Sequence, residues 1–110
     1  MNIKTYKQRA ELIRSTNVYN VYDLKELKNL SLSLTELHPT QNTSGHSHDN
    51  ADEIYIFIEG QGTIKIGDEV VECKKGDVFT IPRGKFHKVN NLWNRDLIFW
   101  SIFEKYGDRK

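Results

Sequence analysis

All seven glycines of this 110-residue chain lie at or after position 45: Gly45, Gly60, Gly62, Gly67, Gly76, Gly84 and Gly107. Glycine is the strongest punctuation a sequence has, so residues 45–84 are cut into segments too short for packed helices. Such segments read as antiparallel strands joined by tight turns, in a sandwich or a barrel. The segments agree. Leu30-Ser31-Leu32-Ser33-Leu34 alternates with the period of a half-buried strand. Ile54, Ile56 and Ile58 alternate with Glu53, Tyr55 and Phe57 until Gly60 stops the run. Thr63–Ile66 and Glu69–Cys73 flank Gly67-Asp68 as a hairpin. Val78–Ile81 runs from the Lys75-Gly76-Asp77 turn to Pro82, and Leu97–Phe103 is rich in aromatic and β-branched residues. The pattern predicts six to eight strands in an all-β domain. Before position 45 the signals differ. Residues 4–14 predict a short helix or an arm, and Asp23–Leu30 predicts a helical turn, with Leu24, Leu27 and Leu30 at spacing three. The expected layout is one domain with an N-terminal arm over 1–29, a β-barrel over 30–104 and a tail over 105–110.

Composition excludes several classes of function. A chain of this length buries about 65% of its unfolded surface, enough for a single core. No apolar run approaches the roughly 20 residues of a membrane-spanning helix. Sixteen basic against 15 acidic residues leave a net charge of +1, so neither a polyanion-binding tail nor a nucleic-acid partner is expected. Cys73 is the single cysteine, which rules out an intrachain disulfide. With no apolar stretch behind Met1-Asn2-Ile3-Lys4, the expected location is the cytoplasm.

The four histidines, His38, His46, His48 and His87, carry the chemistry. In His46-Ser47-His48 the two imidazoles are two residues apart, so an extended strand aims both at one face. Glu53 follows His48 by an odd number of residues, so the chain must turn in Asp49-Asn50-Ala51-Asp52 before the carboxylate can face back. Glu53, Tyr55 and Phe57 then share the inward face. His87 follows the turns marked by Gly76, Pro82 and Gly84 and can reach the same interior spot. Three neutral imidazoles and a carboxylate suit one divalent transition ion: Fe, Mn, Co, Ni or Zn. Four ligands leave one or two open positions on an octahedral ion.

The stretch His46-x-His48-x4-Glu53-x6-Gly60 resembles the first motif of the cupins. Gly76-x5-Pro82-x-Gly84-x2-His87-x3-Asn91 resembles the second at all five of its fixed positions. The first motif departs at its leading glycine, a turn position six residues before His46, where this chain has Thr40. The resemblance spans residues 45–91. It implies a double-stranded β-helix (jelly-roll) barrel with the metal near one mouth, held by His46, His48, Glu53 and His87.

The remaining residues are read more plainly. His38 lies outside both motifs and is expected to be a surface or strand-end histidine. Cys73 reads as a small buried hydrophobe, and Asn91 as the holder of a turn. Ile54, Ile56 and Ile58 face away from the metal and need a cover, either a second layer or a partner subunit, so a homodimer is expected. Arg83, Lys85 and Lys88 flank His87 as candidates for drawing an anionic group, against the simpler reading of a solvated basic loop. Trp93, Phe99, Trp100 and Phe103 read as core or interface.

Cupins host many reactions, so the fold alone names none. The first functional reading is a metal-dependent isomerase or epimerase of a small sugar phosphate or nucleotide-linked sugar. The ion would polarise a carbonyl, and Tyr55, Glu59 or a metal-bound hydroxide would move the proton. The alternatives are an Fe(II)-dependent dioxygenase and a non-catalytic small-molecule-binding cupin. The expected partners are a small anionic or sugar-like molecule and a second copy of the chain, without nucleic acid or membrane.

Overall fold

Strand ends fall where the turn residues put them. A computed structural model describes residues 2–105. These form one helix, α1 (Ile3–Arg9), and nine strands: β1 (Glu11–Ser15), β2 (Tyr19–Leu24), β3 (Leu30–Leu37), β4 (Glu53–Glu59), β5 (Gln61–Ile66), β6 (Glu69–Lys74), β7 (Val78–Ile81), β8 (His87–Asn91) and β9 (Leu97–Glu104). All pairings are antiparallel. A six-stranded sheet in the order β1-β2-β3-β9-β4-β7 faces a three-stranded sheet in the order β6-β5-β8. The β5–β6 hairpin turns at Gly67, whose φ of 60° is the conformation a tight turn demands. This is the expected jelly-roll barrel.

The N-terminal region corrects the sequence reading. Within the expected arm over 1–29, β1 and β2 instead extend the larger sheet. The helical turn expected over Asp23–Leu30 does not form. Asp23 and Leu24 complete β2, which pairs with β3 from Tyr19↔Leu37 to Leu24↔Leu32. An isolated helical turn is costly to nucleate, whereas a strand here joins a ready ladder. The helix expected within residues 4–14 forms as α1, and its Asn2 side chain accepts the Thr5 N–H at 3.1 Å. The strand count is nine instead of six to eight because β1 and β2 were read as non-strand. Of the expected tail, residues 106–110 lie outside the described residues.

The alternation in β3 is real, but its polar residues point inward. Ser31 and Ser33 are buried, while Leu30 is 47% exposed. The leucines join an outer face whose rows are set by strand register. One row is Tyr22–Leu34–Trp100–Ile56 and the next is Leu24–Leu32–Ile102–Ile54. Tyr6 of α1 covers the first row: its ring meets Trp100 edge-on at 4.7 Å. Its hydroxyl lies 2.8 Å from both the Tyr22 and Leu32 carbonyl oxygens, sharing its proton between them.

Between the sheets, Leu37, Phe57, Ile64, Cys73, Ile81, Val89, Leu97 and Phe99 form the main core. Cys73 is the small hydrophobe expected. Burial, with the Asp77 charge adding to it, pushes its thiol up to about 12, so it stays protonated and inert. Asn91 holds its turn: its amide donates to the Leu37, His38 and Arg95 carbonyls, and its oxygen accepts the Trp93 N–H at 2.8 Å. His38 closes the end of β3 against Asp96 at 3.0 Å.

Thr40 is the one described non-glycine residue with positive φ, at 63°. It occupies the position where the motif carries glycine, so the backbone keeps the turn and the side chain bears the strain. The left-handed conformation costs a non-glycine residue roughly 1–2 kcal/mol, against about 0.5–1 kcal/mol of extra chain entropy for glycine. Thr40→Gly is therefore expected to stabilise the protein by about 1 kcal/mol, raising Tm by roughly 4–8 °C. A thermal melt showing a lower Tm would contradict this account.

Candidate metal centre

His46 and His87 are brought together by backbone. Each donates its N–H to the other's carbonyl, at 3.0 and 2.8 Å, forming an isolated antiparallel bridge. The His48 carbonyl accepts the Gly84 N–H at 2.8 Å, fastening the same segment to the turn after β7. The chain then turns at Asp49-Asn50, as its residue types predict. Glu53 opens β4 opposite Ile81 of β7 and Phe103 of β9, with its side chain inward beside Tyr55 and Phe57. Ile54, Ile56 and Ile58 take the other face, as the alternation requires.

The side chains converge. Glu53 Oε1 lies 3.4 Å from His48 Nε2 and 3.8 Å from His87 Nε2. The potential ligand atoms of His48, Glu53 and His87 all lie within 4.8 Å of one another. The His46 ring completes a nearly equilateral triangle, with centroids 5.6 Å from His48 and 5.7 Å from His87, and 5.6 Å between those two.

The protonation of His87 follows from its neighbours. Its Nδ1 lies 3.3 Å from the Lys85 carbonyl, which can only accept, so Nδ1 carries the proton and Nε2 the lone pair. Burial lowers the His87 pKa, with the Lys85 contact opposing it, so the ring is neutral near pH 7. The buried Nε2 has no hydrogen-bond partner. Leaving such an acceptor unsatisfied costs roughly 1–3 kcal/mol. A cation among these ligands would satisfy it, so the residues present fit a divalent ion. Ser101 Oγ donates to Glu53 Oε2 at 3.1 Å, which turns Oε1 toward the histidines. Ser101→Ala is expected to weaken divalent-metal affinity about 10- to 100-fold, the usual effect of losing a partner that orients a ligand. Metal titration by calorimetry would show this, and unchanged affinity would remove the role.

These residues line a cavity of about 50 Å³ between the sheets. Tyr55 lines it too, its ring edge-on to His87 at 5.7 Å and stacked on Phe99 at 4.9 Å. Other candidates are not brought here. Glu59 is exposed at the far end of β4, six residues from Glu53 and so about 20 Å away along the strand. Arg83 is turned outward, at 2.8 Å from Glu104 and 3.6 Å from Asp52. Lys85 is exposed and would lie 3.3 Å from a Cβ placed on Gly67, over the β5–β6 turn. Lys88 lies between inward-facing His87 and Val89, so strand alternation sends it out. Close as they are to His87 in sequence, none of these three side chains lines the cavity.

The cation that does line the cavity was missed. Arg14 of β1 reaches it, and its Nη1 donates to Tyr19 Oη of β2 at 3.0 Å. One available signal was the Tyr19-Asn20-Val21-Tyr22 run, whose aromatic and β-branched content marks a strand.

The two-sheet antiparallel barrel is a jelly roll whose three imidazoles and carboxylate, gathered at one cavity, fit a divalent metal. The family model for the cupin domain matches residues 33–103, and the chain belongs to the cupin family. It is similar to an oxalate-binding protein of Thermotoga maritima, 31% identical over 67 residues that make up 61% of this chain and 55% of that protein. It is also similar to an acireductone dioxygenase of Hahella chejuensis, 27% identical over 95 residues, 77% of this chain and 47% of the relative. The solved structure of KdgF from Halomonas sp. shares the fold with a TM-score of 0.79, covering 89% of this chain and 88% of that one at 16% identity. The chain spans about half or less of the length of most curated relatives it matches. Cupins commonly hold a divalent metal. Among the described residues no helix is long and apolar enough to cross a membrane.

Proposed function

We propose that His46, His48, Glu53 and His87 hold one divalent transition ion, and that the protein moves a proton on a small oxygenated molecule entering the cavity. The observation that carries this reading is the buried, unpartnered His87 Nε2 aimed at Glu53 Oε1 beside His48. When bound, such an ion acts as a Lewis acid toward a carbonyl or a pair of adjacent oxygens. The protein's own part is to keep the His87 imidazole neutral through burial and to fix the Glu53 carboxylate through Ser101. Apart from the four ligands, the titratable side chains described in the cavity lining are Arg14, Tyr19 and Tyr55. Tyr55 packs on a ligand ring, which makes it the side chain to hold or deliver a proton.

The size and charge of the cavity redirect the isomerase reading. One water-sized sphere needs roughly 10–15 Å³, so about 50 Å³ admits only a few non-hydrogen atoms. A nucleotide-linked sugar would leave most of its bulk outside, and the basic residues meant for a phosphate face solvent. A small hydroxy- or oxo-compound fits better than a sugar phosphate.

The similarity to an acireductone dioxygenase favours an oxidative second reading, and that to an oxalate-binding protein a purely binding one. Metal analysis of protein purified without added metal is the first test. It should be followed by NMR of deuterium exchange and by oxygen uptake on a panel of small hydroxy- and oxo-compounds. Proton transfer predicts C–H exchange without oxygen uptake, lost in Tyr55→Phe. Oxygen uptake would establish the dioxygenase instead, and binding without either change would leave a binding protein. A second copy is the proposed cover for the outer row Leu24–Leu32–Ile102–Ile54. Sedimentation as a monomer across the micromolar range would remove that part.

A further inference from the structure

Arg14 reaches the cavity through an irregularity in β1. The β1–β2 ladder runs Glu11↔Asp23 and Leu12↔Tyr22, then skips to Arg14↔Val21 and Ser15↔Asn20. Tyr22 belongs to the outer face with Leu34 and Trp100, while Val21 lines the cavity. Without the skip, Ile13 would stand opposite Val21 and face inward, and Arg14 would stand opposite Asn20, whose amide bonds Glu36 at 3.3 Å on the outer face. The single extra residue therefore turns an arginine into the barrel where regular pairing would have put an isoleucine. Re-aiming one side chain beside a site is a recurrent use of such bulges. Tyr19 Oη then holds one edge of the guanidinium, which is half-buried.

We infer that Arg14, positioned by Tyr19, is the anion-binding end of the cavity, and that the ligand is a compact carboxylate whose remaining oxygens face the histidine–glutamate set. This rests on the metal reading above and names its substrate class. Charge points the same way, since a divalent ion at one end of the cavity and the Arg14 guanidinium at the other would both attract an anion. A planar guanidinium fork matches a carboxylate with two parallel hydrogen bonds. Size selects among anions. Room for a few non-hydrogen atoms suits a carboxylate with an adjacent hydroxyl or carbonyl oxygen better than a tetrahedral phosphate on a carbon chain.

The test uses the full chain loaded with Co(II), whose visible spectrum reports the site. Glycolate, pyruvate and, as the phosphate, glycerol phosphate are titrated separately into wild type, Arg14→Gln, Arg14→Lys and Tyr19→Phe. Wild type should bind glycolate or pyruvate more tightly than phosphate, with a change in the Co(II) bands. Arg14→Gln should weaken carboxylate binding about 10- to 100-fold, the loss expected of a charge-assisted hydrogen bond. Its Co(II) affinity and melting temperature should stay near wild type. Arg14→Lys should recover part of the loss, and Tyr19→Phe should show a smaller one. Equal carboxylate affinity in wild type and Arg14→Gln overturns the assignment of Arg14 while leaving the metal centre standing. Tighter phosphate binding overturns the ligand class. A wild-type protein that takes up no Co(II) brings down the metal reading, and this inference with it.

Discussion

His87→Ala is expected to lose divalent-metal binding by far more than the roughly 100-fold that follows loss of a ligand's hydrogen-bond partner. His87 contributes the most deeply buried imidazole of the set, at 3% exposure. It also contributes the lone pair that nothing else in the described structure satisfies. Without it, Glu53 Oε1 keeps its contact with His48 Nε2 at 3.4 Å but loses the one with His87 Nε2 at 3.8 Å. The backbone bridge between positions 46 and 87 does not depend on the side chain, so the fold should survive. Metal content of the purified variant, read beside an intact circular-dichroism spectrum, checks both halves. A folded His87→Ala protein that retains stoichiometric metal would show that the ion sits elsewhere.

The second large effect falls on the fold. A Cβ at Gly62 would stand 2.0 Å from the Asn90 carbonyl oxygen and 3.1 Å from its carbon, both backbone atoms of β8. A flexible side chain could step aside, but a paired strand cannot. Gly62 stands opposite Asn91 in the β5–β8 ladder, so relief of the clash would pull on the residue that ties β8 to Leu37, His38 and Arg95. Gly62→Ala is expected to cost at least about 3 kcal/mol, the upper part of the usual range for overpacking. In a domain whose whole stability is roughly 5–15 kcal/mol, this corresponds to a Tm at least roughly 12 °C lower. A melt within a few degrees of wild type would mean that β5 and β8 are not this close.

The legible part of the molecule is the part written in strand and turn grammar. His46, His48, Glu53 and His87 sit on extended segments between glycine- or Asp/Asn-marked turns. There the two-residue period fixes which way a side chain points, and the converging geometry follows from counting. Asn91 and Cys73 were readable for the same reason. The N-terminal third lacks glycine, and its polar stretches fit helix and strand alike, so β1 and β2 were lost. Arg14 was hidden twice, in an unrecognised strand and behind a bulge that reverses the parity on which any count depends. Arg83, Lys85, Lys88 and Glu59 show the converse. Nearness along the chain suggested a site, but alternation turns Lys88 out, the length of β4 carries Glu59 away, and the turn between β7 and β8 sends Arg83 to Glu104 and Lys85 over the β5–β6 turn. In β3 the alternation was visible but not its sense, because a period of two is unchanged when core and exterior trade places.

The ligands do not come from one layer. Glu53 belongs to the six-stranded sheet and His87 to the three-stranded one, and the His46 segment is tied to His87 by two backbone hydrogen bonds. An ion shared among them would act as a rivet through the sandwich, so that separating the layers would require letting go of it.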